Sequence, residues 1–352
     1  MRTEYLTLDG EPGDVARIAH AATLLRAGAL VAFPTETVYG LGADARNAEA
    51  LQRLAKVKGR KEGRPFSLLV PSLRDAEEAA GGFGRVTQKL ARVYWPGPLT
   101  LVVPRNGGSI GLRLSEHPVA RALIAHCAFP LATPSASRLG APEPVSARQV
   151  YEALDGEVAL VLDGGPAWQG RPSTVVRVDG DTVQIQREGN ISGVEILEVA
   201  CPTVLFVCTG NSCRSPMAAG FLQAAENEHP GDDGLPVRIL SAGINTVEGE
   251  LADKLAIEAM RQVNVDISRH RTRALTFAML DSADWIFTMT RDQRECILAL
   301  MPSCEDRVQL LSKHDEDIPD PHACVLELYR QTRDKIASCL RDVVRVVGGK
   351  RA

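Results

Sequence analysis

The sequence of 352 residues has no apolar run of membrane-spanning length: stretches such as "GALVAF" and "VALVL" are far shorter than the roughly twenty residues a spanning helix needs. Its first residues, "MRTEYLTLDGEP", lack the apolar centre of a secretory signal, so a cytoplasmic protein with no membrane partner is expected. An excess of basic charge is also missing. The formal net charge of −4 argues against nucleic-acid binding by the whole protein, while leaving room for a local basic site. The eight cysteines follow no regular spacing and read as reduced thiols, not as a disulfide framework. Internal repeats and low-complexity linkers are absent too.

What is present is an ordinary globular composition, 45% hydrophobic and 24% charged, in a chain longer than one core usually supports. Two domains are therefore expected. Helical spacing over residues 14–27, a buried strand in "GALVAFPT" and a helix in "AEALQRLAKVKGR" that ends in a basic loop open the chain. "LTLVVP", "GEVALVLDGG" and "STVVRVDGDTVQIQREG" read as strands between Gly and Asp turns. A fresh strand, loop and helix begin at Thr203, with the helix from about Ser215. The boundary is placed within 195–202, giving domains over 1–197 and 203–352, both α/β.

The restart carries the clearest chemistry, "VLFVCTGNSCRSP". A strand delivers Cys208 to the sheet edge, and Thr209, Gly210, Asn211, Ser212 and Cys213 curl back at the start of a helix. Backbone N–H groups turned into such a concavity, with the helix dipole behind them, form an anion site and favour a thiolate. Cys208 then suits nucleophilic attack on phosphorus, Arg214 holds two phosphoryl oxygens in its planar fork, and Ser215 donates to the sulfur. Gly210 and Asn211 supply the backbone freedom that the curl needs. A buried structural thiol at a strand end is the competing reading. Asp320, in the Asp-Pro loop of "DEDIPDPHACVLELYRQTRDKI", is the candidate general acid.

These motifs, with "SAG" at Ser241–Gly243, "VDISRHRTRAL" from Val265 and "ADWIFTMT" from Ala283, resemble the low-molecular-weight protein phosphatases over 203 to about 347. The resemblance implies a three-layer α/β fold with a parallel sheet, a Cys208 nucleophile, phosphate binding by Arg214, acid catalysis by Asp320 and no cofactor. It also implies a protective disulfide between Cys208 and Cys213 under oxidation. Tyrosine-specific members carry an apolar residue at the Ser212 position and an aromatic pair at His322 and Ala323, so phosphoarginine stands beside phosphotyrosine as the protein-borne substrate. Arsenate reductase is the rival on this fold. It needs a relay cysteine after "FTMT", where this chain has Met289, Thr290 and Arg291, with Cys296 and Cys304 further on.

In the first domain, "FPTETVYGLGADA" places hydroxyls, an acid and Tyr39 after a buried strand. "KVKGRKEGR" then packs five cations into nine positions, either a solvated face or a site for a nucleotide's phosphates. With "WPGPLTLVV", "RLSEHP", "PSAS", "STVV" and "REG" these segments resemble the threonylcarbamoyl-AMP synthase family across residues 10–195, whose YrdC-like domain is a twisted mixed α/β sheet. The resemblance implies joining L-threonine, bicarbonate and ATP, with Mg²⁺ bridging the phosphates and no protein-held metal, for modification of tRNA. By position, Thr37, Arg113 and Ser173 would face threonine, and Lys58, Arg60, Arg64, Ser109, Ser135 and Arg187 would face ATP. Three positions depart from the family: Ser137 for Asn, and Lys61 and Ser115 for Pro. They keep open a non-catalytic module that binds a nucleotide or RNA, possible tRNA-modification proteins being the other expected partners.

Overall fold

A computed structural model describes residues 2–60, 65–228, 235–312 and 316–347. The chain divides between Ala200 and Cys201 into two compact units.

The first unit holds strands β1 (Glu4–Thr7), β2 (Val31–Phe33), β3 (Gly40–Asp44), β4 (Leu68–Leu69), β5 (Leu99–Arg105), β6 (Gly108–Arg113), β7 (Leu131–Ala132), β8 (Leu160–Asp163), β9 (Thr174–Asp179) and β10 (Thr182–Arg187). Its helices are α1 (Asp14–Arg26), α2 (Ala48–Lys58), α3 (Leu73–Ala80), α4 (Arg85–Tyr94), α5 (Pro118–Cys127), α6 (Ala147–Leu154) and α7 (Gly193–Ala200). Among the described residues the strands form one mixed sheet in the order β1-β8-β2-β3-β7-β4-β6-β5-β9-β10. Alternation along a strand sends its side chains to opposite faces. Thus Val31 and Phe33 join Leu25, Leu123 and Leu162 in one core, while Leu30 and Ala32 join Tyr39, Leu54 and Val161 in the other.

Helix α2 shows how local chemistry sets boundaries. Asn47 accepts the backbone N–H groups of Glu49 and Ala50 at its start, and Gly59, at φ 59°, ends it in the left-handed conformation. The segment "NISGVEILEVACP", just before the restart at Thr203, contains α7, which packs on α4.

The second unit holds β11 (Thr203–Cys208), β12 (Arg238–Gly243), β13 (Trp285–Thr288) and β14 (Val308–Leu310), all parallel and ordered β12-β11-β13-β14. Helices α8 (Arg214–Glu228), α9 (Lys254–Arg261) and α12 (Leu326–Val347) cover one face. Helices α10 (Phe277–Ser282) and α11 (Arg291–Leu300) cover the other. Strand β11 is buried throughout, and its alternation puts Val204, Phe206 and Cys208 on the α8 side and Leu205 and Val207 on the α11 side. This is the three-layer α/β arrangement expected from the sequence. Among the described residues no helix is long and apolar enough to cross a membrane.

Candidate active sites

In the second unit β11 ends at Cys208, which is 2% exposed, and the chain then turns sharply toward α8. The turn depends on Asn211, held at φ 53°. Asn is among the few residues besides glycine that adopt this conformation readily. Gly210 is not in that region, and a Cβ there would meet only Ser212 Oγ at 3.5 Å, so the expected backbone strain sits on Asn211 alone. The glycine that the curl requires is Gly243, beside Cys208 at the end of β12. A Cβ there would lie 2.7 Å from Thr209 O and 3.0 Å from Asn211 N.

Asn211 organises the site in four directions. Its backbone N–H donates to Cys208 Sγ at 3.2 Å, and its Nδ2 donates to Ser215 Oγ at 2.9 Å and to Ser241 Oγ at 3.1 Å. Its Oδ1 accepts Arg273 N at 2.9 Å, and its carbonyl lies 2.8 Å from His270 Nε2. Because Ser215 already accepts from Asn211, its own hydrogen can turn to Cys208 Sγ, 3.0 Å away. Burial holds the His270 imidazole below its ordinary pKa, which suits its place against the loop. The loop is further tied by Gln293 Nε2 donating to Thr209 Oγ1 and Thr246 Oγ1 donating to Gly210 O.

Arg214 is buried at the base of the loop. It pairs with Asp320 through Nη2 and donates to Ile318 O through Nη1 at 3.1 Å, while its Nε has no hydrogen-bond partner. A buried guanidinium donor left unmatched costs free energy, which an arriving anion recovers. Asp320 therefore lies against Arg214, on the loop before α12. Cys213 is buried on the α9 side, and burial pushes its thiol up to about 11. Cys296 is on α11 and lines a small hollow with Thr209, Arg214 and Thr290. Cys304 is buried, its thiol donating to Met301 O.

In the first unit a cavity of about 220 Å³ collects Thr37, Arg60, Arg113, Ser135, Ser173 and Arg187. All six were expected in two separate roles, from segments up to 150 residues apart in sequence. Arg113 Nη2 donates to Thr37 Oγ1 at 2.8 Å and to Glu36 Oε1 at 2.6 Å. Arg187 donates to Ser173 O at 2.9 Å, and Ser173 Oγ lies 2.9 Å from Thr100 Oγ1. Burial and the nearby Arg113 charge lower the Arg187 pKa against the pull of Glu143. Glu143 lines the cavity too, and its Oε2 has no hydrogen-bond partner.

Two expected residues sit beside the cavity. Lys58 is not among the lining residues: its ammonium is spent on the "PSAS" loop, donating to Ser135 O at 2.9 Å and to Ser137 O. Ser109 lines an adjoining hollow with Lys56, Arg60 and Phe66. Arg64 and Lys61 lie outside the described residues.

The residue that sequence reasoning left without a role is Glu36, fully buried in "TET" and bonded by both Arg113 and Ser115. An acid flanked by hydroxyls after a buried strand was the available signal. Burial would raise its carboxyl, but the Arg113 charge and the Ser115 hydroxyl outweigh burial and hold it below the ordinary range. Two of the family departures are thus held by hydrogen bonds. Ser115 donates to Glu36, and Ser137 accepts from Lys58 through its backbone carbonyl, its hydroxyl lying 3.3 Å from Ser135 Oγ.

Residues 23–189 match the Sua5, YciO and YrdC family model, described as "Telomere recombination", and residues 203–351 match the model for low molecular weight phosphotyrosine protein phosphatases. The threonylcarbamoyl-AMP synthase of Chromohalobacter salexigens is 38% identical over 169 residues, covering 45% of this chain and 91% of its own length. That of Bacillus subtilis is 37% identical over 216 residues, covering 58% of this chain, which spans only 62% of that relative's length. A solved structure of a Sua5 variant from P. abyssi has a TM-score of 0.53 at 27% identity, covering 77% of this chain and 91% of that one.

Proposed function

Since the chain belongs through residues 23–189 to the threonylcarbamoyl-AMP synthase family and carries a low-molecular-weight phosphatase domain over 203–351, we propose that it is a bifunctional cytoplasmic enzyme. Its first unit makes threonylcarbamoyl-adenylate and pyrophosphate from L-threonine, bicarbonate and ATP, for transfer to tRNA by modification partners. The observation that carries this reading is the cavity where Thr37, Arg113 and Ser173 meet Arg60, Ser135 and Arg187. Arg113, oriented by Glu36 and Thr37, takes the threonine carboxylate in its fork, and Arg60 and Arg187 offset the charge of the phosphates. Mg²⁺ would arrive with the ATP to offset phosphate charge, and Glu143, whose Oε2 has no hydrogen-bond partner while Oε1 faces Arg187, would be the residue to hold it. Positioning and charge neutralisation then carry the catalysis.

In the second unit Cys208 attacks phosphorus, Arg214 leaves Asp320 for the phosphoryl oxygens, and Asp320 protonates the leaving group. Phosphoarginine on protein is the first substrate reading, because Ser212, His322 and Ala323 replace the apolar and aromatic residues that a phenyl ring would need. Phosphotyrosine is the second.

The test gives the full chain L-threonine, bicarbonate and MgATP and measures pyrophosphate. Threonine-dependent release is expected. Its absence alongside Cys208-dependent hydrolysis would leave the first unit as a non-catalytic nucleotide- or RNA-binding module. Phosphoarginine and phosphotyrosine peptides, compared with a Cys208→Ser control, decide the second substrate.

A further inference from the structure

We infer that Cys213, Asp253 and His322 form a binding site for a zinc-like divalent cation at the edge of the phosphate loop. They come from three separate segments: the loop before α8, the residue that caps α9, and the loop before α12. The sulfur, a carboxylate oxygen and an imidazole nitrogen all lie within 4.8 Å of one another. Zinc–ligand bonds of about 2.0–2.3 Å in a tetrahedron place such atoms roughly 3.5 Å apart. The closure required is about an ångström, and His322 is exposed on a loop.

The donor set selects the class of metal. One thiolate, one imidazole and one carboxylate suit zinc and its neighbours, not magnesium or calcium, and leave a fourth position for water. The support behind these ligands already exists. Tyr329, fully buried, lies beside both Asp253 and Cys213, and Asp253 Oδ1 accepts Leu255 N at 2.8 Å. Asp253 N in turn donates to Ser212 O at 2.9 Å, tying the acid to the loop. Partners of this kind orient ligands and are part of a metal site's affinity. Without metal the buried thiol keeps its proton at neutral pH; binding forms the metal–sulfur bond and releases that proton to solvent. None of the three side chains is needed by the chemistry assigned to Cys208, Arg214 and Asp320.

Bound there, the cation clamps His322 to the phosphate loop. His322 N donates to Asp320 Oδ1 at 3.2 Å, so the acid's loop is restrained with it. Inhibition of hydrolysis is the consequence, and this part alone rests on the phosphatase reading.

The test titrates zinc chloride into the full chain by calorimetry and records the near-ultraviolet thiolate band of the cobalt form. Both signals are expected in the wild type and in Cys208→Ser. His322→Ala, at an exposed position, should weaken binding roughly tenfold or more, since even outer-shell losses cost about 10–100-fold. Cys213→Ser should lose the cobalt band. Unchanged affinity in His322→Ala, or loss of the site in Cys208→Ser, would overturn the assignment. Zinc should also slow p-nitrophenyl phosphate hydrolysis, with recovery on adding EDTA. Binding without inhibition would refute the link to the acid loop, whereas a chain with no hydrolytic activity would count against the phosphatase reading and leave the binding result standing.

Discussion

Replacing Glu36 by Ala tests the interior of the first unit most sharply. Glu36 is fully buried, and Arg113, whose side chain is 12% exposed, has its guanidinium aimed at it. Without the carboxylate Arg113 keeps only Thr37 Oγ1 and the Gly97 carbonyl, neither of which carries charge. Removing one member of a buried ion pair costs about 3–5 kcal/mol, most of it from the charge left behind. For a unit of this size that corresponds to a melting point lower by roughly 6–20 °C. Urea unfolding of the full chain, read by pulsed hydrogen exchange, separates peptides of residues 1–200 from those of 201–352. The pH dependence has a definite sign. The folded Glu36 carboxyl lies below its ordinary value, so its stabilisation is complete above the unfolded pKa of about 4.3 and is lost as the pH falls through the folded value. Glu36→Gln should therefore flatten the acid limb of the stability curve. The double change with Arg113→Met should cost less than the sum of the two single changes. A Glu36→Ala chain that loses under about 1 kcal/mol in residues 1–200 would refute the buried-pair argument.

Gly243→Ala should lower p-nitrophenyl phosphate turnover by about a hundredfold, because its Cβ would push Thr209 and Asn211 out of register; wild-type turnover would show that the loop does not need the close approach. Asp320→Asn should lower turnover by roughly 10²–10⁴-fold, with less loss for substrates whose leaving group needs no proton, as a leaving-group series would show. Arg187→Met should raise the KM for ATP in the pyrophosphate assay while leaving hydrolysis by the second unit unchanged, since Arg187 lines only the first cavity. Thioredoxin-coupled arsenate reduction should be undetectable, because Met289 and Thr290 occupy the relay position and Cys304 is buried.

Local elements and chemical types could be read from residue order alone. Alternation in "VLFVC" and the cap at Asn47 act through neighbours a few residues away, so β11 and α2 were legible, as was the cluster "CTGNSCRS", whose parts meet within eight residues. Gly243 and Asp253 could not be read in this way, because their roles come from strand register and from helix α9 arriving beside the loop. In the first unit the order of motifs pointed to the residues now in one cavity, but propensity could not say that Lys58 would turn to the "PSAS" carbonyls or Ser109 to an adjoining hollow. The burial of Glu36 against Arg113, 77 residues apart, was likewise decided only when the mixed sheet closed. Spacing carries information over one or two turns of chain; the partner that satisfies a buried charge is chosen by which strands pack side by side.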